Sequence, residues 1–247
     1  MKKVFFFVVL AFTMTQLWSQ VKDSKSPEDR NFRIPLIGEP APSFTAESTN
    51  GTINFPEDFG HKWKILFSHP QDFTPVCSTE IIELAYLQDE FDKLGVKLAV
   101  ISTDPLSKHV QWKKALEELN LNDRGSVKIK FPIIADENVA ISKEYGMIHA
   151  ETNSTKSVRG VFIIDPNNIV QAIYFYPKAV GRSTDELLRI VTALQVTSTS
   201  NVATPVNWKE GKDVLVPYNP NANLDHTGAV PAGYYSPAWF LWYKKEN

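Results

Sequence analysis

The chain has 247 residues, 43% of them hydrophobic and 22% charged, which excludes a disordered or fibrous protein and leaves room for one large domain or two small ones. Its charge of -2 arises from 26 basic and 28 acidic residues without blocks of one sign, so no nucleic-acid partner is expected. The single cysteine, Cys77, excludes an intramolecular disulfide and any multi-cysteine zinc or iron-sulfur site.

Residues 1–20 read as an address. Lys2 and Lys3 precede an apolar run over 4–12 and a more polar stretch over 13–20, the layout of a secretory signal peptide, with cleavage expected near 19–21. The apolar run is less than half of the roughly 20 residues that cross a bilayer, so a retained N-terminal anchor is the weaker alternative. No cysteine lies there to carry a lipid, and no stable membrane anchor is expected. The mature protein is expected to be exported, either periplasmic or released. In an oxidising compartment a lone cysteine is buried and inert, bonded to another chain, or a reactive thiol.

Residues 21–33 are polar and charged and read as a flexible lead-in. From 34 to 197, β-branched and aromatic runs alternate with longer stretches of helical period, which predicts an α/β domain with a central sheet. Strands are expected over 64–68, 97–102, 161–164 and 170–175. A helix is expected over 76–94, because Ile81, Leu84, Ala85, Leu87, Phe91 and Leu94 recur at three- and four-residue steps and Gly95 is placed to end it. Further helices are expected over 106–119, 139–145 and 184–195. From 198 to 247 prolines, asparagines and aromatics replace regular periodicity, so this part reads as an extension and not a second domain. Its aromatic end, including Trp239, Phe240 and Trp242, fits an arm on its own domain as well as one that reaches a partner subunit.

The chemistry is concentrated between the first of these strands and the first helix, in His69-Pro70-Gln71-Asp72-Phe73-Thr74-Pro75-Val76-Cys77-Ser78-Thr79-Glu80. Thr74 followed by Pro75 is a helix-start signal, with Thr74 expected to accept backbone hydrogen bonds at the N-cap. Cys77 then falls in the first turn, where unpaired N–H groups and the positive end of the helix dipole stabilise a thiolate. Glu80 also suits a helix start but opposes that thiolate, and so calls for a compensating cation.

This stretch resembles the peroxidatic motif of peroxiredoxins, with Pro70, Thr74 and Cys77 at the family's spacing. The wider chain is similar to the one-cysteine, peroxiredoxin-6-like subfamily of the AhpC/TSA superfamily, through segments 37–42, 131–136, 157–162, 181–182 and 202–208. The resemblance implies a thioredoxin-like fold with a central mixed β-sheet flanked by helices, plus a C-terminal dimerisation extension. It implies a thiol-dependent peroxidase in which Cys77 attacks hydrogen peroxide or an organic hydroperoxide and becomes a sulfenic acid. Thr74 would place its hydroxyl near sulfur and peroxide, and Arg159 would supply the cation for the thiolate and the leaving oxygen. Pro70 would limit water, Glu80 would orient the arginine, and His69 would assist binding or meet the reductant, unless it is a structural histidine. No cofactor or metal is implied, and His61, His109, His149 and His226 show no ligand spacing. With no second cysteine, an external thiol or thioredoxin-like protein must close the cycle. A homodimer, or a larger ring, is expected.

Some members of the subfamily are credited with phospholipase activity, but here Lys62 stands where their serine would be and Asn167 where an aspartate would be. Neither provides an activated hydroxyl, so that activity is not carried over. The competing reading is an exported oligomeric chaperone or scaffold on the same fold. A disulfide exchange enzyme is weaker still, because there is no Cys-x-x-Cys pair.

Overall fold

The computed structural model describes residues 33–216 and 230–246. The expected signal peptide, nearly all of the lead-in and His226 lie outside the described residues.

A seven-stranded mixed sheet forms the centre, in the order β2-β1-β5-β4-β3-β6-β7. Its strands are β1 (Phe44–Ser48), β2 (Gly51–Phe55), β3 (Trp63–Ser68), β4 (Val96–Ser102), β5 (Ile133–Ala135), β6 (Arg159–Ile164) and β7 (Val170–Tyr176). The helices are α1 (Pro75–Lys93), α2 (Leu106–Glu117), α3 (Ala140–Glu144) and α4 (Thr184–Thr199). β3, β4 and β5 run parallel, while β6 lies antiparallel to β3 and β7 antiparallel to β6. This is the expected thioredoxin-like α/β architecture, with the four expected strands and all four helices present.

Every residue of β3 and β6 is buried, because both faces of the sheet are covered. Side chains alternate between the two faces. Ile65 and Phe67 pack with Ile81, Leu84 and Phe91 of α1, Trp112 of α2 and Val191 of α4. Leu66, Phe162 and Ile164 point the other way, toward Phe55, Tyr145 and Met147. Each fully buried Leu, Ile or Phe contributes about 1.5–3 kcal/mol, so the two cores fix the ends of β3 and β6 relative to α1. α1 stops where expected: Gly95 takes φ +70° and its N–H donates to Asp92 O at 2.9 Å.

The strands β1, β2 and β5 were not among those expected. β1 and β2 form a hairpin whose turn carries Asn50–Gly51, with Gly51 at φ +94°, a local signal for such a turn. β5 is three residues long, too short to show a period. The extension also holds more order than its composition indicated. β8 (Val214–Leu215), β10 (Leu241–Lys244) and β9 (Tyr234–Ala238) form a small antiparallel sheet in that order. Trp208 and Val214 are buried with Ala193 of α4, so the start of the arm packs on its own domain. At the turn between β9 and β10, Trp239 and Phe240 are 67% and 70% exposed. No helix among the described residues is long and apolar enough to cross a membrane.

Candidate active site

β3 ends at Ser68, whose hydroxyl donates to Val158 O at 2.6 Å and accepts the Gly160 N–H at 2.8 Å. That pair of bonds brackets Arg159 and brings the first residue of β6 beside the chain that leads into α1. Gly160 permits the approach: a Cβ there would lie 3.2 Å from both the Ser68 hydroxyl and the Met147 sulfur.

Between β3 and α1 the chain makes a tight turn in which Pro70 is buried and Phe73 adopts φ +57°. A bulky residue in the left-handed region stores about 1–3 kcal/mol of strain, and such residues persist only where neighbours hold them. Thr74 is the extended N-cap and Pro75 the first helical residue, as expected. The Thr74 hydroxyl, however, does not cap the helix. It donates to Gln71 O at 2.8 Å, while the Thr74 carbonyl accepts from the N–H and hydroxyl of Ser78. The turn preceding the helix takes the proton expected to face a substrate, and the hydroxyl oxygen keeps its acceptor character.

Cys77 lies in the first turn of α1 and is 1% exposed. Arg159 Nη1 donates to Cys77 Sγ at 3.3 Å and to Glu80 Oε2 at 2.7 Å, while its Nε and Nη2 donate to Lys178 O at 3.0 and 2.7 Å. The guanidinium is thus held on two sides with one nitrogen aimed at the sulfur. Cys77, Arg159 and Glu80 come together as the motif implied.

A second arginine, Arg182, was noted only within a matching segment and given no role. It is buried, and its backbone N–H and Nε reach Glu80 Oε1 at 2.8 Å each, its Nη2 reaches Glu80 Oε2 at 2.7 Å, and its Nη1 reaches Gly160 O at 2.9 Å. Its guanidinium carbon sits 3.3 Å from the Phe67 ring centroid, a cation–π contact. Burial works against ionisation of Glu80, but the hydrogen bonds and charge of Arg182, with the charge of Arg159, outweigh it and hold the carboxyl below its usual range. Two buried guanidiniums face one carboxylate, and one of them also reaches the Cys77 sulfur. The sequence signal for Arg182 was slight: it precedes the α4 N-cap Ser183, about a hundred residues from Cys77.

His109 corrects the expectation of a histidine without ligand spacing, and His69 takes the place of a structural histidine. Both are fully buried around Asp72: His69 Nε2 donates to Asp72 Oδ1 at 2.7 Å and His109 Nδ1 to Asp72 Oδ2 at 2.6 Å. Burial opposes the Asp72 charge, but the hydrogen bonds from His109 and His69 prevail and bring its pKa to about 2. Burial keeps His69 below its ordinary range, as a neutral ring donating to a carboxylate. The ligand atoms of these three residues lie within 4.8 Å of one another, the one such group found among the described residues. They are engaged with each other through His69 Nε2 and His109 Nδ1, while His69 Nδ1 and His109 Nε2 have no hydrogen-bond partner among the described residues. Lys62 and Asn167 are exposed, with the Asn167 N–H on Asp165 Oδ1.

A cysteine in the first turn of a helix, with an arginine nitrogen on its sulfur and a thioredoxin-like sheet behind it, defines a thiol-dependent peroxidase. Comparison with known proteins agrees. The AhpC/TSA family model matches residues 37–173, and the C-terminal domain of 1-Cys peroxiredoxin matches 193–223. A peroxiredoxin of Methanosarcina mazei is 43% identical over 87% of this chain and 99% of its own length. A mitochondrial peroxiredoxin of Saccharomyces cerevisiae is 40% identical over 86% of this chain and 79% of its own. Among solved structures, a yeast mitochondrial 1-Cys peroxiredoxin superposes with a TM-score of 0.75 at 36% identity, covering 86% of this chain and all of that one. A cysteine-to-serine mutant of peroxiredoxin 6 from Arenicola marina gives 0.72 at 32% identity, covering 86% and 98%. The chain belongs to the AhpC/TSA family of peroxiredoxins.

Proposed function

We propose that Cys77 is the peroxidatic nucleophile of this thiol-dependent peroxidase and that Arg159, held by Glu80 and the Lys178 carbonyl, activates it. The observation that carries this is the 3.3 Å contact from Arg159 Nη1 to Cys77 Sγ. The thiolate attacks one peroxide oxygen, an S–O bond forms as the O–O bond breaks, and the leaving oxygen departs as water or an alcohol after taking a proton. Charge passes from sulfur to the leaving oxygen, and the same guanidinium faces both. Cys77 is then a sulfenic acid. An external thiol displaces its hydroxyl as water to form a mixed disulfide, and a second thiol releases Cys77 reduced. The chain's lack of a second cysteine supports an external reductant. The yeast structure concerns a thiol resolving mechanism via glutathione/thioredoxin systems, and the same thiol classes are the ones to assay here.

Export and homodimerisation belong to the same proposal. Export is supported by the basic, apolar, polar order of residues 1–20. Homodimerisation is supported by the exposed Trp239 and Phe240 at the tip of the arm. The deciding experiment is a stoichiometric one: reduced protein is treated with one equivalent of hydrogen peroxide in the presence of dimedone and mapped by mass spectrometry. One adduct at Cys77, absent in Cys77→Ser, is expected; peroxide consumption without that adduct would overturn the assignment.

A further inference from the structure

We propose that Asp72 and His109 are positioning residues for the peroxidatic cysteine: with Trp112 they clasp segment 69–78 onto α2 and so hold the Cys77 sulfur against Arg159. The inference rests on Cys77 being the nucleophile, and concerns residues whose hydrogen bonds go neither to the sulfur nor to the guanidinium.

The segment needs holding. Its first part, 69–74, is irregular and carries the strained Phe73, and α1, whose first turn bears Cys77, begins directly after that at Pro75. α2 grips it on both sides of the sulfur. His109 and Trp112, three residues apart and so on one face of the helix, reach Asp72 before Cys77 and Ser78 after it. His109 Nδ1 donates to Asp72 Oδ2 at 2.6 Å, and Trp112 Nε1 donates to Ser78 Oγ at 3.3 Å. The His69 ring packs between them, its centroid 4.9 Å from that of Trp112 and 6.1 Å from that of His109, and it donates to the other oxygen of Asp72. A third hold comes from just before α2. Asp104 Oδ2 accepts the Asp72 N–H at 2.7 Å, and Asp104 is itself paired with Lys156 at 2.7 Å and Lys108 at 3.1 Å.

The bonds that His69, His109 and Asp104 make with Asp72 each involve a carboxylate and are shielded from water, the setting in which a hydrogen bond is strongest and its loss most damaging. Loss of the His109 donor leaves the buried Asp72 carboxylate with one ring instead of two. The strained turn can then relax, carrying the first turn of α1 away from Arg159. A misplacement of about 1 Å is enough to slow a positioned reaction roughly 100-fold. A small neutral alkylating reagent needs the thiolate but no donor to a leaving oxygen, so at a pH where the thiol is ionised in every variant it would find the sulfur only less buried than its present 1% exposure. The two reactions should therefore change in opposite directions.

The test compares wild type, His109→Leu and His109→Asn, the last placing an amide nitrogen where Nδ1 now lies. Single-turnover oxidation by hydrogen peroxide and alkylation by iodoacetamide are both measured from zero to low urea. In the leucine variant peroxide oxidation should fall roughly 10- to 100-fold. Alkylation should rise with only a shallow dependence on urea, as a local opening requires, and the asparagine variant should recover most of both changes. Peroxide oxidation within about twofold of wild type in folded His109→Leu, or alkylation as steep in urea as global unfolding, overturns the proposal. If the leucine variant does not fold, Asp72→Asn is examined by the same two rates, and their being unchanged overturns it equally. A wild-type protein that does not react with peroxide at Cys77 would instead remove the nucleophile itself.

Discussion

Glu80 and Arg182 are locked together by both carboxylate oxygens, Oε1 taking the arginine's backbone N–H and Nε at 2.8 Å and Oε2 taking Nη2 at 2.7 Å. The lock spans α1 and the residue before the α4 N-cap, and Oε2 also holds Arg159. Glu80→Gln leaves two buried guanidiniums without their counter-charge, and breaking a buried pair in this way costs about 3–5 kcal/mol. Urea denaturation of Glu80→Gln should show a loss of that order, together with slower peroxide oxidation because Arg159 loses its orienting acceptor. A stability equal to that of wild type would mean that the cluster is not held by charge.

Arg159→Lys keeps the charge and removes the planar fork. A lysine ammonium cannot bridge Cys77 Sγ, Glu80 Oε2 and Lys178 O as Arg159 does. Loss of one preorganised donor to developing charge typically slows a reaction about 100- to 1000-fold. The second-order rate with hydrogen peroxide should fall into that range while the fold is retained by circular dichroism. An unaltered rate removes Arg159 from the proposed role.

The buried Asp72 makes a prediction for acid. Its pKa of about 2 lies below the ordinary 3.8 of an aspartate, so the unfolded chain takes up a proton first as pH falls. The stabilisation is fully present above that ordinary value and is lost as pH drops through the folded-state value, a contribution on the order of 2 kcal/mol. His69 acts in the same direction at higher pH. Its lowered pKa means that stability is lost as pH falls below the ordinary 6.5 of a free histidine. Urea midpoints measured from pH 7 to pH 2 should decline in two stages. The gap between wild type and Asp72→Asn should close between pH 4 and pH 2, and a constant gap would contradict the ionised Asp72.

Lys64 stands on β3 with no exposed surface, its Nζ donating to Asn168 Oδ1 and, at 3.4 Å, to Asp165 O. Burial holds its ammonium below the ordinary lysine range, against the attraction of Asp165 and Glu57. Burying a cation costs desolvation, and because its partners here, Asn168 Oδ1 and Asp165 O, are neutral acceptors, an apolar replacement of similar volume removes that cost without stranding a buried counter-charge. Lys64→Met should therefore be at least as stable as wild type in urea at pH 7. A loss of several kcal/mol would show that Lys64 is a net stabiliser of the β6–β7 turn.

Much of this architecture is legible in the order of residues because its signals are local. The β-branched and aromatic runs of β3 and β6, the three- and four-residue steps of α1, and the Thr74–Pro75 helix start each act within a few residues, and they place Cys77 in its turn without tertiary information. The short β5 and the strands of the extension were hidden, since β5 has three residues and β9 has Pro237 inside it, and such strands exist because a neighbour pairs with them; the hairpin before β3, by contrast, is marked locally by Asn50–Gly51.

The sequence by itself therefore determined that there is one cysteine, that it sits in the first turn of a helix, and that no second thiol stands in the chain. Only the tertiary structure decided what surrounds the sulfur. It brought Arg182 onto Glu80 from about a hundred residues away, turned the Thr74 hydroxyl toward Gln71, and closed His109 on Asp72 across 37 residues. Such contacts come from packing, which joins residues by where helices and strands end in space, and a buried charge selects partners by proximity and desolvation, which no local periodicity records.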